Sequence, residues 1–165
     1  MFASIRLLLL AVMPIVLGGT SMAQDNLRTI ELIEYTNDSL GFKIDLPCEP
    51  QWQEPTIPGS KAVLVCATTN PMVIINSEQK TIKGNKAFDE YVKKQVQVGD
   101  MPYELTRQKL DGHKARRVRL SANGQQVELW VVMAGADRLH MFSFVQPAGE
   151  PVTAVPSIVA SIRLR

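Results

Sequence analysis

The chain has 165 residues, with 18 Lys and Arg against 16 Asp and Glu, for a net charge of +2 at neutral pH. So even a balance excludes the global basic footprint of a nucleic-acid binder. No stretch after the first two dozen residues is long and apolar enough to span a membrane.

The opening reads as an export signal. Residues 1–6 carry a single charge, Arg6, and residues 7–17 form an apolar run interrupted by Pro14 and closed by Gly18 and Gly19. That run is about half of the roughly 20 residues a retained anchor needs. Ser21-Met22-Ala23 places small residues where a signal peptidase inspects them, so cleavage before Gln24 is expected. Residues 24–165, carrying +1, then form one domain outside the cytoplasm, periplasmic or secreted, large enough to fold on its own core.

Residues 29–35 are rich in β-formers and run into the turn cluster Asn37-Asp38-Ser39. Residues 42–46 alternate apolar and polar as a half-buried strand should, and Pro47 stops them. Residues 49–60, with Pro50, Pro55, Pro58 and Gly59, predict a loop around a buried Trp52. Strands are expected at 62–66 and 72–75. Cys48 and Cys66 are the only cysteines, and an oxidising compartment favours their pairing, with two buried thiols as the alternative. In a plain hairpin of 41–47 with 61–68 the two would stand too far apart for a bond.

A helix follows. Asn85 suits its N-cap, and Phe88, Tyr91, Val92 and Val96 recur at helical spacing, with Asp89 and Glu90 early, Lys93 and Lys94 late and Gly99 as the stop. The second half predicts an antiparallel meander over 103–109, 113–122, 126–133 and 139–145. Its turns are Asp111-Gly112, Asn123-Gly124 and Gly135-Ala136-Asp137. Val127, Leu129, Val131 and Met133 share one face while Trp130 and Val132 share the other, so the last two strands are central and covered on both sides. A closing helix from about Val155 would take Pro156 in its first turn and point Val155, Ile158, Val159 and Ile162 inward. The predicted fold class is α+β, a mostly antiparallel β-sheet meander packed between helices in a single domain.

The opening Gly41-Phe42-Lys43-Ile44-Asp45-Leu46-Pro47 with Trp52 soon after, the mid-chain helix, Phe142-Ser143-Phe144 and the ending Ile158-Val159-Ala160-Ser161-Ile162-Arg163-Leu164 resemble the PsbP-like superfamily. That superfamily includes the photosystem II extrinsic protein and exported bacterial proteins of the DcrB type. The resemblance implies an antiparallel sheet held between helices and an accessory protein that docks on a larger assembly. It brings no catalytic residue, and the cysteine pair has no counterpart in its pattern.

Chemistry-bearing motifs are scarce. His113 and His140 lack the converging partners of a metal site, with no HxH, HExxH or CxxC spacing, so both are read as packed or solvated and no cofactor is expected. No GxSxG elbow, SxxK pair or phosphate-binding glycine loop occurs. The most distinctive feature is basic: Arg107, Lys109, Lys114, Arg116, Arg117 and Arg119 fall on two adjacent strands, with Asp111 alone opposing them at the turn. Alternation puts Arg117 and Arg119 on one face and Lys114 and Arg116 on the other. Charge guarding a sheet edge explains such a run; a docking patch for an acidic envelope protein or an anionic membrane surface is the functional reading. The expected function is therefore a non-enzymatic accessory or binding protein of the cell envelope. The rivals are a small hydrolase using Glu104, Asp111 or Glu128, and a carrier of a small apolar ligand.

Overall fold

The computed structural model describes residues 30–54, 60–67, 69–96, 101–149 and 154–165, with only the backbone described at Ser60 and Lys61. The expected export segment, residues 55–59 and Gly99 lie outside the described residues.

β1 (Ile33–Asn37) and β2 (Phe42–Leu46) form an antiparallel hairpin with Ile33 opposite Leu46 and Asn37 opposite Phe42. Asn37 builds the turn: its Oδ1 accepts from the Leu40 N–H at 3.0 Å and from Ser39 Oγ at 2.8 Å. Gly41 closes it at φ 74°, where a Cβ would also run into the Arg138 guanidinium. The strand expected over 29–35 thus starts later and reaches the turn, because pairing with β2 overrides local propensity.

β3 (Gln51–Gln53) pairs with β4 (Ser60–Cys66), and β4 pairs with β5 (Met72–Gln79). Here the expected loop over 49–60 is interrupted by a strand at 51–53. Trp52 lies on β3, opposite Leu64, and is 56% exposed. A three-residue strand at the sheet margin has a neighbouring strand on one side only, and among the described residues its indole stays uncovered. β5 runs on past Ile75 through Asn76, Ser77 and Glu78, which are buried despite their polarity.

After β5 comes α1 (Asn85–Val96), which buries Phe88, Val92 and Val96 as its periodicity requires. The meander follows: β6 (Tyr103–Leu110), β7 (His113–Ala122), β8 (Gln125–Ala134) and β9 (Arg138–Pro147). Its first two turns place Asp111 and Gly112 at φ 47° and 79°, and Asn123 and Gly124 at 51° and 73°. Two successive positive φ values make type I′ turns, whose twist matches the strands they join. β9 then pairs with β5, giving a seven-stranded antiparallel sheet ordered β3-β4-β5-β9-β8-β7-β6.

Both faces of the central strands are buried. Leu129 and Val131 pack with α1, Val118 and Met141. On the opposite face Trp130, Val132, Phe142 and Phe144 pack with β2 and with α2 (Val155–Ser161). The last residues form β10 (Arg163–Leu164), which pairs with β2 and completes a three-stranded sheet, β1-β2-β10. The fold is α+β and mostly antiparallel; the expectation of a sheet with helices around it lacked this second sheet.

Cys48 and Cys66 lie at disulfide distance, their Cα atoms 5.9 Å apart. They follow and end strands of different sheets, so the hairpin geometry that would separate them does not arise. Pairing of Gln51 with Val65 folds the chain back beside Cys66.

Candidate functional site

The Asp111-Gly112 turn sets Arg107 opposite Arg116, Lys109 opposite Lys114, Thr106 opposite Arg117 and Glu104 opposite Arg119. The six basic residues therefore divide between two faces of the sheet. On the α1 face lie Arg107, Lys109, Lys114 and Arg116. The other face carries Arg117 and Arg119.

On the α1 face, Arg116 is 2% exposed and is withdrawn from any docking surface. Its Nε–H donates to Asp89 Oδ1 on α1, Nη1 donates to the Ala115 carbonyl at 2.9 Å, and its guanidinium lies 4.6 Å over the Phe88 ring. Arg107 is 65% exposed and donates to Asp89 Oδ2 from Nη2 at 2.6 Å. The hydrogen bonds from Arg107, with the one from Arg116, hold the Asp89 carboxyl below its ordinary range. One carboxylate thus answers two guanidinium groups. Lys109 and Lys114 are both exposed, directly opposed, and without an ion pair among the described residues. Like charges in that position destabilise a sheet.

On the other face, Glu128 accepts from Arg117 Nη2 at 2.7 Å and Arg119 Nε at 3.2 Å on one oxygen, and from Trp130 Nε1 at 2.7 Å on the other. Burial opposes the charge of Glu128, but the hydrogen bonds from Arg117, Trp130 and Arg119 outweigh it and hold the carboxyl low. These residues border an open cleft of about 1160 Å³ between α2 and the β6–β9 face, lined also by Phe144, Val155 and Val159.

Glu104, Asp111 and Glu128, the hydrolase candidates, all line this cleft. Glu128 is kept ionised by three donors, the reverse of a raised proton donor. Asp111 accepts the Leu164 N–H at 2.7 Å, tying the hairpin tip to β10. Glu104 stands two strands from Glu128 with Arg119 between them.

His113 is half-buried at the start of β7, and His140 is fully buried. His140 Nδ1 meets Ser77 Oγ at 2.8 Å and its ring stands edge-on to Phe42, while Nε2 has no partner. Burial first, then the charges of Arg138 and His113, pushes its pKa down to about 4. Among the described residues no three His, Cys, Asp or Glu side chains gather to hold a metal ion, and no helix is long and apolar enough to cross a membrane.

Asp89 and Glu128 are the residues that the sequence reading did not connect with the basic run. Glu128 was within reach, since counting back from Asn123-Gly124 puts it opposite Arg119. Asp89 was not, because no sequence signal fixes how α1 lies across β6 and β7.

No family profile matches the sequence, and no curated protein does. Solved structures do. The solution structure of cyanobacterial PsbP (CyanoP) from Synechocystis sp. PCC 6803 aligns over 88% of this chain and 98% of its own, with a TM-score of 0.54 and 15% identity. A crystal structure from Bacteroides thetaiotaomicron VPI-5482 aligns over 75% of this chain but only 45% of its own, with a TM-score of 0.48 and 15% identity. The first likeness is one of fold: the chain has a PsbP-like fold, as its opening and closing motifs indicated.

Proposed function

We propose that this chain, on its PsbP-like fold, is an exported accessory protein that docks on an acidic face of a larger envelope protein and catalyses no reaction itself. The observation that carries the reading is the Lys109–Lys114 pair. Two lysines held opposite each other and unneutralised among the described residues cost stability, and an acidic partner would relieve that repulsion. The short, cleavable opening segment supports export. Cys48 and Cys66 at bonding distance fit an oxidising compartment, where they form a disulfide. Arg107 extends the docking surface, whereas Arg117 and Arg119 face the cleft and serve Glu128.

The test is cross-linking in intact cells followed by mass spectrometry. Wild type is expected to form an adduct with a larger envelope protein, lost in Lys109→Glu/Lys114→Glu and kept in Lys43→Glu on β2. An adduct indifferent to the double reversal, or recovery of the chain only with lipid, overturns the reading.

The cleft favours one second reading, the carrier of a small apolar ligand. Trp130, Phe144, Val155 and Val159 offer it apolar walls. Mass spectrometry of the protein released from its native source under non-denaturing conditions, with no added mass found, would end that reading.

A further inference from the structure

β6 is the last strand of the seven-stranded sheet, and among the described residues nothing pairs with its outer edge. Which backbone groups it leaves free follows from its turn. In a two-residue type I′ hairpin the residues flanking the turn form a hydrogen-bonded pair, here Leu110 with His113. Bonded and non-bonded pairs then alternate. Gln108, Thr106 and Glu104 therefore bond inward to β7, and Lys109, Arg107 and Leu105 turn their N–H and C=O groups outward. Arg107 and Lys109 thus present free backbone and a cationic side chain together. Lys114 and Arg116 stand beside them in the same rows on β7. Among the described residues Asp89 is the ion-pair partner of both Arg107 and the buried Arg116, which leaves Lys109 and Lys114 as the surplus.

Resting on the docking reading above, we infer that β6 takes up an extended acidic segment of the partner as an eighth, antiparallel strand. Opposed residues in an antiparallel pair share a face. Carboxylates at alternate positions of the incoming segment, opposite Arg107 and Lys109, would therefore lie over the surplus charge while their own N–H groups bond to β6. Charge complementarity selects this occupant. It also explains a defended edge: lysine and arginine repel a second copy of β6 but not a strand of opposite sign.

The probe is a fluorescein-labelled ten-residue peptide of alternating Asp and Val, read by anisotropy with the full mature chain. Two further peptides carry N-methyl groups on every Asp or on every Val. The parent and the Val-methylated peptide are expected to bind alike, the Asp-methylated peptide at least about tenfold more weakly, and Lys109→Glu/Lys114→Glu to weaken the parent by about tenfold. Amide exchange at Leu105, Arg107 and Lys109 should slow when the parent peptide is added. Equal binding of both methylated peptides, or no binding of the parent, overturns strand addition. Either result leaves the docking reading standing if cross-linking still depends on Lys109 and Lys114.

Discussion

Arg116, buried on β7, donates its Nε–H to Asp89 on α1. The pair helps fasten the only described helix on that face, in the midst of Phe88, Val92 and Val118, and Tyr91 Oη adds a second polar tie by donating to Glu78 on β5. Asp89→Asn leaves the guanidinium buried with carbonyls and the Phe88 ring for company. The expected loss is about 3 kcal/mol in urea unfolding, since removing one partner of a buried pair leaves the other uncompensated. A loss below 1 kcal/mol would show that Asn85, which also accepts from Arg116, suffices.

His140 makes stability depend on pH. It is neutral in the fold, with a pKa near 4, and in the unfolded chain it binds a proton near its ordinary 6.5. Its contribution is therefore fully present above about pH 6.5 and lost as pH falls toward 4, by up to about 3 kcal/mol. Asp89, also held low, loses its contribution as pH falls through the carboxylate range. Unfolding midpoints between pH 4 and 7 should slope less in His140→Phe than in wild type. Equal slopes would show that His140 is protonated inside the fold.

Reduction should cost about 3 kcal/mol by removing the constraint on the unfolded chain. Dithiothreitol is expected to lower the urea midpoint of wild type and leave Cys48→Ala/Cys66→Ala unmoved. A wild-type midpoint insensitive to reductant would mean the sulfurs are not bonded.

Lys114→Thr is expected to raise stability by about 0.5 kcal/mol, because it removes a like charge directly opposite Lys109. The same change should weaken partner association. Thermal unfolding and cross-linking yield, measured on one preparation, separate the two effects.

Trp52→Ser should shift stability by less than about 0.5 kcal/mol, as exposed positions away from special contacts do. Fluorescence would show the loss of the redder of two tryptophan bands, since Trp130 is buried.

The meander was legible because its turn residues and its alternation agree. Asn123-Gly124 fixes the register of β7 against β8, and the two apolar faces of β8 forecast a central strand covered on both sides. The smaller sheet was not legible. β10 is two residues long, and the helical spacing of Val155, Ile158 and Ile162 carries the eye past the end of α2. β3 was hidden by the prolines around it, and Trp52 was misplaced because its size suggests burial while only strand order reveals the margin. The basic run was correctly divided by alternation, yet which half stayed available depended on Asp89, a residue of another element.

The order of the large sheet also dictates how the chain can assemble. β3, β4 and β5 are sequence neighbours, and so are β6 to β9, so each set can zip up through short closures. The seam between them, Met72 opposite Val145 through Gln79 opposite Arg138, joins segments separated by α1 and three strands. Distant pairings of this kind slow folding.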